Sequence, residues 1–186
     1  MKWMIASDIH GSAHYCEKLM AAFEKEGADK LLLLGDLLYH GPRNDLPCGY
    51  APKQVIAMLN EKKDRILCVR GNCDAEVDQM VLLFPIMADY AVIRDGDVTV
   101  FATHGHLYDG RPPMANGMIV ISGHTHIPVW EAGDMGLCLN PGSVSIPKAG
   151  SAHGYMTLCD GTFRWCALDG TQLHQIKVGK DTTYDE

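Results

Sequence analysis

A series of short apolar, strand-like runs ending in metal-ligand chemistry constrains this chain more than any other feature. Asp8 and His10 come after Met4-Ile5-Ala6, and Asp36 after Leu31 to Leu34. Asn72 follows Ile66-Leu67-Cys68-Val69 after two intervening residues, His104 follows Val98 to Thr103, and His124 and His126 follow Met118 to Ile121. Two carboxylates, one amide oxygen and four imidazoles are thus spread from position 8 to position 126. Chain folding must gather them, and the ends of parallel strands, which share one edge of a sheet, are where two-metal centres are assembled. The pattern points to a metal-dependent hydrolase acting on a phosphate ester.

The order of elements supports that geometry. Lys2 to Ser7 reads as a buried strand and Ser12 to Lys25 as a helix with apolar positions at Leu19, Met20 and Phe23. Lys30 to Leu34 is a second strand, Pro52 to Glu61 a second helix and Arg65 to Val69 a third strand. Alternation of this kind implies parallel pairing through right-handed crossovers. Leu37 to Tyr50, rich in Gly, Pro and Asn, forms a long loop of the functional kind. Beyond Pro85, short runs are divided at Asp95-Gly96, Gly133-Asp134, Asp160-Gly161 and Asp169-Gly170, pairs that favour tight hairpins, so the second half is expected to be largely antiparallel. Residues 1–178 read as one domain and 179–186 as a polar C-terminal tail.

Composition narrows the partners. A net charge of −7 with dispersed Lys and Arg argues against a long nucleic acid, which calls for a basic face. No apolar stretch approaches the ~20 residues of a membrane helix, and the start of the chain is too short and polar for a signal peptide. Seven cysteines, an odd number without a Cys-x-x-Cys pair, suit the reducing cytoplasm better than a disulfide framework. The apolar segment after Asp74 (Met80, Leu82, Leu83, Phe84) and the sheet edges leave a homodimer or higher homo-oligomer open.

Each ligand type has a distinct task. Asp36, alone at a strand end behind Gly35, is the candidate to bridge two dications, since a carboxylate offers an anionic oxygen to each and reduces their repulsion. Asp8 and His10, one residue apart, face the same way in extended backbone, and Gly123-His124-Thr125-His126 repeats that spacing. Nitrogen and oxygen ligation without thiolate suits manganese first, with Zn, Fe, Co or Ni as alternatives.

The motifs Asp8-Ile9-His10, Gly35-Asp36, Gly71-Asn72-Cys73-Asp74, His104-Gly105-His106 and Gly123-His124-Thr125-His126 together resemble the calcineurin-like metallophosphoesterase superfamily. His40-Gly41-Pro42-Arg43-Asn44 and Asn140-Pro141-Gly142-Ser143-Val144 are similar to its small bacterial phosphodiesterase branch. The resemblance implies an α/β fold, a four-layer αββα sandwich of two mixed sheets flanked by helices. It implies that Asp8, His10 and His126 hold one metal, that Asn72, His104 and His124 hold a second, and that Asp36 bridges them. A water or hydroxide between the ions then attacks phosphorus in a small soluble phosphodiester.

Within that resemblance, Asn72, Cys73 and Asp74 form the catalytic stretch, and His40, Arg43 and His106 are candidate substrate contacts. Cys73 is a departure, because many members of the superfamily carry His there, a residue thought to protonate the leaving group. A thiol is the poorer donor, so activated aryl diesters are the expected substrates; Cys73 equally suits a small buried position. Asp74 either orients Asn72 or Cys73 or accepts turn hydrogen bonds, and Arg43 either pairs with a phosphate oxygen or caps its loop. Three alternatives share the scaffold: a phosphomonoesterase, a nucleotide pyrophosphatase, and a non-catalytic assembly protein like the small retromer subunit.

Overall fold

The computed structural model describes residues 1–108, 118–133 and 136–179. Strand β1 (Trp3–Ala6) leads into helix α1 (Ala13–Glu26), followed by β2 (Lys30–Leu33), α2 (Pro52–Glu61), β3 (Ile66–Cys68) and the short α3 (Glu76–Gln79). Strands β4 (Tyr90–Asp95), β5 (Val98–Thr103), β6 (Ile119–Ile121), β7 (Pro128–Gly133) and β8 (Gly136–Pro141) come next. The final three are β9 (Gly154–Cys159), β10 (Thr162–Ala167) and β11 (Gln172–Lys177). Ser12 caps α1 by accepting the Tyr15 N–H, and Pro52 opens α2, where its missing N–H costs nothing.

Two mixed sheets pack face to face, one in the order β11-β10-β9-β1-β2-β3 and the other β4-β5-β6-β8-β7. Alternation along β1 and β2 explains the layering. Met4, Ala6, Leu31 and Leu33 point toward α1 and α2, where Leu19, Phe23, Val55 and Leu59 cover them. Trp3, Ile5, Leu32 and Leu34 point the other way, into a core shared with Val100, Ala102, Ile119 and Leu139 of the second sheet. Helices α1 and α2 thus cover the outer face of the first sheet, whose inner face packs on the second sheet, in the α/β sandwich of two mixed sheets that was expected.

The Asp95-Gly96, Asp160-Gly161 and Asp169-Gly170 pairs sit at hairpins. Asp160 and Gly161 both have positive φ, 49° and 71°, as a two-residue type I′ turn requires. Asp134 of the fourth pair and the tail from Lys180 onward lie outside the described residues. The antiparallel expectation for the second half needs one correction: β6 pairs in parallel with both β5 and β8. Its three residues are all buried, which is how a strand inside a parallel sheet reads. Leu82 and Phe84 belong to the core, whereas Met80 and Leu83 are exposed.

Candidate metal centre

The parallel strands β1-β2-β3 and β5-β6-β8 place the loops bearing the candidate ligands at their C-terminal ends. The backbone there is tightly bent. Asp8, His10, Asp36, His124 and His126 all have φ between 48° and 65°, a left-handed conformation that costs a non-glycine residue about 1–3 kcal/mol. Cross-loop hydrogen bonds hold it: the Asp8 N–H to Gly35 O at 3.1 Å, His10 N–H to Asp36 O at 2.9 Å and Gly123 N–H to His104 O at 2.9 Å. Close approach also requires glycine. A Cβ on Gly71 would lie 2.0 Å from Asp36 Oδ1, and one on Gly123 1.9 Å from Ser7 Oγ.

These bends bring all seven candidate side chains together in two groups. His126 Nε2 lies 3.3 Å from Asp8 Oδ1 and 3.3 Å from His10 Nε2, with His10 Nε2 3.5 Å from Asp8 Oδ1. In the second group, His104 Nε2 is 3.0 Å from Asn72 Oδ1 and 3.2 Å from His124 Nδ1. Asp36 Oδ2 stands between them, 3.7 Å from His10 Nε2 and 3.5 Å from His104 Nε2. Cys73 Sγ is also within 4.8 Å of the ligand atoms of His10 and Asp36.

The hydrogen bonds behind the rings define what the front can do. The Nδ1–H groups of His10, His104 and His126 donate to the carbonyls of Tyr39, Leu34 and Ile146, each at 2.7 Å. A carbonyl only accepts, so each neutral ring turns an Nε2 lone pair toward the centre. Asp8 Oδ2 accepts the His124 N–H at 3.1 Å, while its buried Oδ1 has no hydrogen-bond partner. Lone pairs and carboxylate oxygens converge on this centre, an arrangement that a divalent cation satisfies and a neutral hydrogen-bond network does not. The residues therefore fit divalent metal ions.

Charge inside the cluster agrees. Burial opposes ionisation of Asp8, but the flanking His10 and His126 rings and the charge of His104 hold its carboxyl far below the usual range. Asp36 is likewise lowered against burial, mainly by His104. Burial also opposes a charge on His104, yet the Asp36 hydrogen bond and the two carboxylates raise it to about 9. Burial and the neighbouring His104 charge lower His124 and His106. Burial, then Asp36, pushes the Cys73 thiol up to about 12.

Several groups support the ligand loops from behind. The Asp74 carboxylate accepts the N–H groups of Asp36 and Leu37, both at 2.9 Å, and Gly71 at 2.7 Å, so it secures the backbone of two ligand loops. Burial nonetheless raises its pKa against those three donors. Asn140 Nδ2 donates to Gly123 O at 2.8 Å and Thr125 Oγ1 at 3.1 Å, stitching down the loop of His124 and His126. Ser143 and Ser145 hydroxyls both donate to the Asp8 carbonyl at 3.0 Å. Motif resemblance singles out Asn140 and Ser143 without a task; Ser145 lies just past that motif.

A cavity of about 710 Å³ opens over the cluster, lined by Tyr39, Arg43, Cys73, Thr125 and Lys148 together with the candidate ligands His10, Asp36, Asn72, His124 and His126. Of the three candidate substrate contacts, only Arg43 lines it. His40 packs edge-on against Tyr39 and Tyr50, and His106 sits beside the rings of His104 and His124.

Comparison with known proteins agrees with this geometry. Residues 1–160 match the calcineurin-like phosphoesterase superfamily domain. Phosphodiesterase YfcE of Escherichia coli K12 is 46% identical over 181 residues, covering 96% of this chain and 98% of that protein. The probable metallophosphoesterase YsnB of Bacillus subtilis is 24% identical over 167 residues, 85% of this chain and 83% of that one. The solved structure of YfcE, a phosphoesterase from E. coli, superposes with a TM-score of 0.91 at 44% identity, covering 96% of this chain and all of that one. Vps29 of Entamoeba histolytica shares the fold alone, with a TM-score of 0.62 at 19% identity, covering 96% of this chain and all of that one.

Proposed function

This chain belongs to the calcineurin-like phosphoesterase superfamily, and from that premise we propose that it is a divalent-metal-dependent phosphodiesterase acting on small diesters. The observation that carries the reading is Asp36 Oδ2, within 3.7 Å of His10 and 3.5 Å of His104, joining two ligand groups through one carboxylate oxygen. In this reading Asp8, His10 and His126 hold one ion, Asn72, His104 and His124 the other, and Asp36 both, with manganese as the first candidate. Two such ions supply Lewis acidity toward the phosphoryl oxygens and the attacking water. Arg43 pairs with a non-bridging phosphate oxygen, and Asp74 fixes the backbone that aims Asp36. The Cys73 thiol, protonated at neutral pH, faces the leaving group as a weak donor, which limits efficient turnover to activated esters.

Residues 1–178 act as one domain in this reading, supported by the β10–β11 pairing that ties the last strand to the first sheet. A cytoplasmic setting is supported by seven free cysteines. No helix among the described residues is long and apolar enough to cross a membrane. A homodimer through exposed Val77, Met80 and Leu83 belongs to the same reading, and sedimentation analysis checks it.

The deciding experiment compares bis(p-nitrophenyl) phosphate with p-nitrophenyl phosphate after manganese reconstitution. The diester is expected to turn over faster, and Asp36→Ala to abolish metal-dependent turnover while circular dichroism stays native. Preference for the monoester would favour a phosphomonoesterase. Normal turnover in Asp36→Ala would remove the bridging role.

A further inference from the structure

Two cations reach the cavity from separate loops. Arg43 comes from the segment between β2 and α2, and Lys148 from the segment between β8 and β9. Arg43 already has a task in the phosphodiesterase reading, and its charge is felt at His124. Lys148 has none. Its backbone is nevertheless pinned beside the cluster: its N–H donates to His126 O at 3.1 Å, and its carbonyl accepts the Ser151 N–H at 3.0 Å and hydroxyl at 2.7 Å. The side chain therefore springs from a fixed point next to a ligand loop. Elsewhere, Lys2, Lys62, Arg65, Arg70 and Arg164 are paired with carboxylates. Among the described residues neither Arg43 nor Lys148 has an ion-pair or side-chain hydrogen-bond partner. Of the cations without such a partner, Arg43 and Lys148 are the two that line this cavity.

A phosphodiester group carries a single negative charge, which Arg43 and the cluster can meet alone. The cavity, at about 710 Å³, has room for an ester arm as well as the phosphate. We propose that Lys148 is a specificity-determining residue for diesters bearing a second anionic group, carboxylate or phosphate, on the ester arm beyond the scissile phosphate. This inference rests on the phosphodiesterase reading. A primary ammonium suits it, being a compact point charge on a flexible stem that accepts either anion without a fixed planar geometry.

The test uses manganese-loaded enzyme and three p-nitrophenyl diesters whose second arm is phenyl, 4-carboxyphenyl or 4-phosphonophenyl. Wild type is expected to show kcat/KM about two- to fivefold higher for the charged arms, through KM, as for one ion pair made by an exposed lysine. The two charged arms tell carboxylate from phosphate preference. Lys148→Ala should bring the ratio toward one, and Lys148→Arg should retain most of it. Calorimetric binding of diphenylphosphinate and its 4-carboxy derivative, which have no ester bond to cleave, should show the same preference and lose it in Lys148→Ala. A ratio near one in wild type, with all three diesters turned over, would overturn the role of Lys148 and leave the phosphodiesterase reading intact. No turnover of any diester would overturn that reading instead; equal phosphinate affinities would then overturn the Lys148 role as well.

Discussion

Substituting Asp74 by Asn isolates a single oxygen in the support of the metal centre. Asp74 Oδ2 accepts two backbone N–H groups, of Asp36 at 2.9 Å and Gly71 at 2.7 Å, and Oδ1 accepts that of Leu37 at 2.9 Å. An Asn has one oxygen. Its better orientation keeps the two bonds at the Oδ2 position and sets an NH₂ against the Leu37 N–H, donor against donor. Losing one charge-assisted bond and stranding one buried donor costs about 2–4 kcal/mol. Because the affected amides flank Asp36, metal affinity should fall about 10- to 100-fold, as for other groups that orient a ligand from behind. Leu59→Ala, buried beneath α2 away from the cluster, is the matched control at about 2–5 kcal/mol. Urea unfolding gives the two stability losses and calorimetry the manganese affinities. If Asp74→Asn costs under about 0.5 kcal/mol, or lowers affinity no more than Leu59→Ala does, the three-amide argument fails.

Other outcomes follow from the same geometry. His104, raised to about 9 in the metal-free protein, must shed its proton to bind metal. Manganese binding at pH 7.5 should therefore release protons, and affinity should climb with pH toward 9; calorimetry in buffers of different ionisation enthalpy reads both. By the same sign, the stabilisation His104 gives the metal-free protein is complete below its unfolded pKa of about 6.5 and disappears as pH rises through 9, which thermal unfolding across pH measures. Cys73→His should flatten the dependence of rate on leaving-group pKa and extend turnover toward alkoxides; an unchanged slope would argue against a donor at this position. Asn140→Ala strands the amide contacts to Gly123 and Thr125, costing about 2–3 kcal/mol by urea unfolding, with a clear loss of metal affinity through the His124–His126 loop.

Local patterns carried a large part of this protein. Apolar runs over β1, β2, β3, β5 and β6, and ligand-type residues just past their ends, are legible because strand burial and strand termination depend on a few neighbouring residues. Pro52 to Glu61 matches α2 residue for residue, and the Asp-Gly pairs mark hairpins because backbone handedness at a turn is a property of the turn residues themselves.

Tertiary structure alone decided the rest. Hairpin turns suggested an antiparallel second half, but β6 pairs in parallel on both sides, a choice made by its burial between β5 and β8. That five candidate ligands take left-handed backbone is enforced by bonds between loops, not by the residues' own preferences. The three amides that Asp74 receives lie up to 38 positions away, and Lys148 becomes relevant only because β8 ends beside the His126 loop. Sequence proximity determines which conformations a segment can adopt. Which polar group finds which distant partner is settled when the whole core closes and every buried donor must be met.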